Sequence, residues 1–398
     1  MTTRRYFLSG VAGVALALSL GAGPAAAQNE TLKVGVLGVM SGPSASWGLV
    51  NRYSAEARAK MINEAGGFQI GDKTYDIEIV SIDDRNDPKV SVSGAERLIH
   101  QEGVNYIIGP NVDTTAAAIV PVVESGGAIN VPYAFSRDLY SAPHGNSILG
   151  MIASYQAGPV IYKYLAENNG VQSIAFISRN ESDSINQRDE GIAAAEALGL
   201  NIVSADATYE AGTTDFFPIV GSVIGSNPDL IVLSGVAPSD APLLIKSLRE
   251  LGYQGLISTE TAQDAKVLAE VAGPAADGFI SVGGASTPEI RSPFMEDFAK
   301  VYEETAGEWN DEAGTKVYAL DVLLEAIKQA GPEAIEDVEV FKANIDNFKM
   351  PNPFLKDNPE IGFVGSGTFG QNRQMPIPMV VTEFRDGEFQ TLFVGSVE

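Results

Sequence analysis

"IIGPNVDTTAAAIVP", residues 107–121, carries an apolar run into Gly109-Pro110-Asn111 and then into a helix beginning near Asp113-Thr114-Thr115. "GGAINVP" (126–132) adds a glycine turn and a second short apolar run. Strand, loop, helix, turn, strand is the unit of a parallel sheet, because parallel neighbours can be joined only by a crossover. Open sheets of this kind bind ligands beyond the carboxyl ends of their strands. Free N–H groups at a helix N-terminus favour an anion there, yet the sequence itself places a carboxylate, Asp113, in that spot.

The same alternation extends both ways. "TLKVGVLGV" (31–39) reads as a buried strand, followed by a helix from Trp47 to Ala65 closed by Gly66-Gly67. "YDIEIVSIDD" (75–84) alternates as a strand, and Val92, Ala95, Leu98 and Ile99 mark a helical stripe. After about residue 150 the pattern restarts with the strands "SIAFIS" (173–178), "DLIVLSG" (229–235) and "GLISTE" (255–260). A helix between the last two carries Leu244, Leu248 and Leu251 on one side. Residues 105–136 and 229–260 echo each other in element order, which predicts two similar α/β lobes with mostly parallel sheets and helices on both faces. The tail adds a helix with Leu320, Leu323, Leu324 and Ile327 on one face. It ends in a hairpin, "PMVVTEFRDGEFQTLFV", turned by Asp386-Gly387.

A formal charge of −25 lacks the basic footprint that nucleic acid requires and favours a soluble monomer. "TRRYFLSGVAGVALALSLGAGPAAAQ" (3–28) orders a charged pair, Arg4-Arg5, an apolar stretch and small residues before Gln28. That order predicts an export signal over residues 1–27, and the arginine pair is similar to a twin-arginine leader; a general secretory leader is the alternative. The chain has no cysteine. Disulfides, thiolate metal sites and attachment through a lipidated cysteine are therefore excluded.

Catalytic patterns are absent. The two histidines, His100 and His144, have no ligand-spaced neighbours, and neither a G-x-S-x-G elbow nor a phosphate loop occurs. "GSGTFG" (365–370) matches a dinucleotide fingerprint only in its glycines, since the prolines that follow preclude the required helix; a glycine-rich turn is expected. "DDRNDP" (83–88) lacks the glycine and distal glutamate of a calcium loop and is expected to be an exposed strand-to-helix connection, with Asp87-Pro88 opening the helix. No metal and no cofactor is expected.

Several segments, in order, resemble the leucine/isoleucine/valine-binding family of type I periplasmic substrate-binding proteins. They are "LKVGVLGVMSGPSASWG", "SIDDRNDPKVSVSGAERLI", "YIIGPNVDTTAA" and "AGTTDFFPIVGSVIGSNPDLIVLSG". The resemblance implies a non-enzymatic receptor that captures a small polar organic solute, an amino acid, amine or related compound. It would serve an importer made of a permease and an ATPase in the inner membrane; a sensor docking on a membrane kinase is the alternative. It also implies two doubly wound lobes joined by a three-crossover hinge, with crossings near 149–152, 282–285 and 361–365. The first lobe would hold 30–150 plus 285–362, and the second 151–284 plus 363–398.

Carried over residue by residue, the resemblance places Trp47 over the apolar part of a ligand. Asn111 and Asp113 fall in the loop where amino-acid binders hold the α-carboxylate, with Asp113 replacing a serine. Tyr133, Ala134 and Phe135 replace the segment that completes that carboxylate pocket. Glu260 matches the acid that pairs with a ligand ammonium, Val236 stands where a tyrosine is common, and Arg179 ends its strand near the cleft. Asp113 could instead cap its own helix, or be paired with Arg137 or Arg179. Aromatic rings with carboxylates favour a cation on an apolar or aromatic body.

Overall fold

The computed structural model describes residues 1–2, 29–395 and 397. The expected leader, apart from its first two residues, lies outside them.

The chain opens with β1 (Glu30–Gly38), α1 (Ala45–Glu64), β2 (Phe68–Ile70), β3 (Lys73–Asp83), α2 (Pro88–His100), β4 (Tyr106–Ile108), α3 (Asp113–Gly126) and β5 (Ile129–Val131). These strands form one sheet in the order β2-β3-β1-β4-β5, parallel except for the β2–β3 hairpin. A second series follows: α4 (Ser154–Asn169), β6 (Ser173–Arg179), α5 (Ser182–Ala197), β7 (Asn201–Tyr209), α6 (Phe217–Ile224) and β8 (Leu230–Ser234). It continues through α7 (Ala241–Glu250), β9 (Leu256–Ser258), α8 (Ala265–Val271) and β10 (Ile280–Gly283). The chain then returns as α9 (Pro293–Ala306) and α10 (Ala313–Ala330), which pack on α1 of the first lobe, followed by α11 (Val338–Asn344). After a short ladder of β11 (Met350–Pro351) and β12 (Glu360–Ile361) and one helical turn, α12 (Ser366–Phe369), the hairpin β13 (Met379–Arg385) and β14 (Glu388–Gly395) joins the second sheet. Its order is β14-β13-β10-β9-β8-β6-β7.

This is the α/β fold of two lobes with parallel-dominated sheets. The inner strands β4 and β8 read as near-continuous apolar runs because both faces are covered: every residue of each is buried. Leu320, Leu323, Leu324 and Ile327 of α10 are buried together, each contributing about 1.5–3 kcal/mol by leaving water. Helix starts follow local chemistry. Asp87 caps α2 by accepting from the Lys89 and Val90 amides at 2.8 and 3.2 Å, with Pro88 as the first helical residue. Asp386 and Gly387, at φ 51° and 90°, make the tight turn of the final hairpin.

Three passages link the sheets: after β5, after β10 and before β13. The first and third are stitched together. The Leu149 amide donates to Arg373 O at 2.8 Å, the Met375 amide donates to Leu149 O at 2.8 Å, and Val364 and Gln374 exchange backbone bonds. Gln156 and Gln374, both buried, exchange side-chain amide bonds at 2.8 Å, and Gln374 also reaches Met151 O.

Four local expectations are revised. Leu251 lies beyond the end of α7 and is exposed, because the helix stops at Glu250. "GSGTFG" contains one turn of helix, held between Gly365 and Gly370, both left-handed. The connection at 83–88 is not wholly exposed: Asp84 is 1% accessible and accepts from the Asn86 amide and Ser91 hydroxyl. The edge strand β7 lies between the runs read as strands at 173–178 and 229–235, where only helix was expected.

Gly109 shapes the loop between β4 and α3. Its φ is +105°, and a Cβ there would lie 1.8 Å from Leu37 O on the neighbouring strand. Gly109→Ala is expected to lower stability by about 2–4 kcal/mol, read as a reduced urea midpoint with unchanged slope. A variant as stable as the wild type would show that the loop backbone can move aside.

Candidate functional site

Segments that follow the carboxyl ends of strands in both sheets enclose a cavity with about 650 Å³ free of protein atoms. Trp47 after β1, Asn111 after β4, and Tyr133 and Phe135 after β5 form its wall on the first lobe. Gly235-Val236 after β8, Glu260-Thr261-Ala262 after β9, and Asp183 and Gln187 on α5 face them from the second. Met151, Ile152, Val282 and Gly283 close the side nearest the crossings, and Glu312, Thr315 and Lys316 at the start of α10 complete it.

Six of the nine residues singled out from the sequence line this cavity: Trp47, Asn111, Tyr133, Phe135, Val236 and Glu260. Asn111 donates to Trp47 O at 3.1 Å, fixing the two loops to each other. Ala134 is fully buried behind the wall, its carbonyl accepting from Tyr140 OH at 2.7 Å. Arg179 lies behind Trp47, its guanidinium 5.4 Å from the ring centroid. It reaches across the lobes to Ser44 Oγ at 3.2 Å, with Glu181 at 3.3 Å and Asp240 at 3.9 Å as counter-charges.

Asp113 stands in neither expected place. It is the first residue of α3, the N-cap position belongs to Val112, and no capping bond from its side chain is present. One carboxylate oxygen accepts from the Phe135 amide at 2.6 Å and the Ser136 amide at 3.1 Å. The other accepts from Asn186 Nδ2 of α5, on the opposite lobe, at 2.6 Å. The two arginines considered as partners are engaged elsewhere, Arg137 with Glu190 at 2.9 Å and over the Tyr155 ring. Asp113 therefore occupies the amide donors beside the cavity and joins the lobes.

Sequence reasoning missed Asp183, Gln187, Glu312 and Lys316. Asp183 looks like an ordinary acid in a helix first turn, and the segment "NDEAGTK" (310–316) offers no pattern until the chain returns between the lobes. All are buried. Burial pushes the Glu260 carboxyl up to about 7, against the opposing bond from Tyr162 OH. Burial, then Glu181 and Asp113, push Asp183 up to about 7. Glu312 and Lys316 sit 3.9 Å apart; burial raises the glutamate and lowers the lysine, whose ammonium lies 3.8 Å from the Tyr133 ring centroid. The site thus brings buried acids, one lysine and aromatic rings together around one space.

Residues 31–388 match the family profile described as periplasmic binding protein. The leucine-specific-binding protein of Salmonella typhimurium is 29% identical over 272 residues, covering 67% of this chain and 69% of that one. The Leu/Ile/Val-binding protein of Escherichia coli is 27% identical over 256 residues, covering 63% and 67%. Among solved structures, the branched-chain amino acid transporter substrate-binding protein LivJ of Streptococcus pneumoniae, in complex with isoleucine, superposes with a TM-score of 0.77. It is 20% identical, with 92% of this chain and all of that one covered. A Rhodopseudomonas palustris solute-binding protein in complex with 4-hydroxybenzoate gives 0.72 at 20% identity, covering 92% and 97%.

The raised Glu260 carboxyl sets a pH dependence. Folded Glu260 keeps its proton to about pH 7, whereas an unfolded glutamate releases it near 4.3, so through this group the ligand-free protein loses stability as pH rises between those values. Glu260→Gln does not titrate. Its stability relative to wild type is expected to improve by about 1–3 kcal/mol from pH 5 to pH 8 in urea titrations. A difference independent of pH would mean that Glu260 is ionised throughout.

Proposed function

The chain belongs to the leucine/isoleucine/valine-binding family of type I periplasmic binding proteins, and from that premise we propose that it is the solute receptor of an ATP-driven importer. It captures a small polar organic solute between its lobes, closes by hinge motion, and delivers it to a permease and ATPase complex in the inner membrane. The lobes are 30–150 plus 285–362 and 151–284 plus 363–398. Residues 1–27 direct export and are removed, leaving a monomer that moves freely in the periplasm, since no cysteine is present for a lipid anchor. Trp47, Asn111, Tyr133, Phe135, Val236 and Glu260 touch the solute, while Asp113 and Arg179 act by holding the closed form.

One observation carries this reading. The cavity is walled by both lobes, and bonds that cross between them, Asp113 to Asn186 and Arg179 to Ser44, lie beside it. A solute in that space makes more contacts in the closed form than in an open one, and that difference is how binding energy drives closure. The relatives are named for amino acids they bind, not for a reaction.

The two tryptophans provide the test. Trp47 lines the cavity, and Trp309 lies elsewhere, stacked on Arg291. Solute entry is expected to change the emission of wild type and of Trp309→Phe, but not of Trp47→Phe, and to lower the radius of gyration in X-ray scattering. If no amino acid, amine or aromatic acid produces either change in protein freed of bound solute, the receptor reading fails.

A further inference from the structure

The buried polar atoms of the cavity wall without a hydrogen-bond partner are mostly acceptors: the Tyr133 hydroxyl, which can donate, is the exception, and Asn111 Oδ1 is a further acceptor. Asp183 Oδ1 and Gln187 Oε1 on α5, Glu260 Oε2 after β9 and Glu312 Oε1 before α10 have no hydrogen-bond partner, though each side chain lines the cavity. These four residues are between 1% and 4% accessible. A buried oxygen without a donor costs about 1–3 kcal/mol, and more when charged. Four of them, on three separate elements facing one space, form a site for a donor.

Several donors that could hold a carboxylate are committed elsewhere. The Phe135 and Ser136 amides both bond Asp113. Lys316, the cation in the wall, faces the Glu312 carboxylate at 3.9 Å and the Tyr133 ring. Arg179 stands behind Trp47 with Glu181 and Asp240 as counter-charges, although its Nε and Nη1 make no hydrogen bond. Among the described residues, Arg179 and Lys316 each have a counter-charge, whereas Asp183 and Glu260 have none within salt-bridge distance. The remaining wall, including Trp47, Phe135 and Val236, is aromatic or aliphatic.

Resting on the receptor reading above, we propose that the solute is an organic cation with two or more N–H donors on an apolar body, such as a primary amine or an amidine, and that it carries no carboxylate. The N–H donors bond the orphaned oxygens of Asp183, Gln187 and Glu260, while the rings enclose the body and attract the charge. A quaternary ammonium supplies charge but no donor, and so leaves those oxygens unsatisfied.

Calorimetry on the purified protein, stripped of bound solute in denaturant and refolded, tests this with five probes: phenethylamine, benzamidine, benzyltrimethylammonium, benzoate and L-leucine. Phenethylamine or benzamidine is expected to bind at least tenfold more tightly than the other three. Asp183→Asn and Glu260→Gln, which keep shape and volume, are each expected to weaken that binding tenfold or more. Tighter binding of benzoate or L-leucine, lost in Lys316→Met, would overturn the inference and leave the receptor reading standing. Equal binding of the quaternary probe would overturn it too. If no probe binds, the inference falls; the receptor reading falls with it only if the unfolded protein also releases no solute to mass spectrometry.

Discussion

Two parallel strands cannot be joined by a tight turn, and the architecture follows from that constraint. Each crossover helix returns the chain to the same end of its sheet, so the loops after β1, β4 and β5 gather along one edge, and those after β6, β8 and β9 along another. With the edges facing, every segment able to recognise a ligand meets in one cavity without any long loop. The residues that hold the loops are correspondingly rigid. Asn111 is bonded to the Trp47 carbonyl, and Arg179 backs the Trp47 ring.

Electrostatics in this cavity are decided by burial more than by pairing. Carboxylates taken from water rise toward neutrality unless a cation or a set of donors holds them. Asp113 has three donors, two from its own lobe and one from the other, and so serves as a structural tie. Glu260 has the Tyr162 hydroxyl on one oxygen and nothing on the second. Asp113 and Glu260 therefore differ in the number of donors the protein itself provides.

Much of this was legible in the sequence. The apolar runs of β1, β4 and β8, the Asp87-Pro88 helix start, the α10 stripe and the Asp386-Gly387 turn are local signals, and each lies where periodicity or turn chemistry puts it. Resemblance placed six wall residues. What stayed hidden depends on distant parts of the chain. Asp113 bonds Asn186, 73 positions away, and Lys316 faces Tyr133, from separate passes of the chain. No spacing rule relates such residues, because their meeting is set by how the lobes close. The edge strand β7 was missed for a simpler reason: of its residues only Tyr209 is buried, so no apolar run marks it.

The reciprocal amides of Gln156 and Gln374, with the backbone bonds that lace Leu149 to residues 373–375, make the crossings a bound seam. A seam resists both stretching and sliding, so the freedom left to the lobes is a swing about its line. Such a swing works as a lever whose arm is distance from the seam. The first crossing departs from β5, and β1 lies two strands further in. In the proposed closure the Ser44–Arg179 contact after β1 would travel further than the Asp113–Asn186 contact after β4, and Trp47, next to Ser44, would be the leading edge of the door.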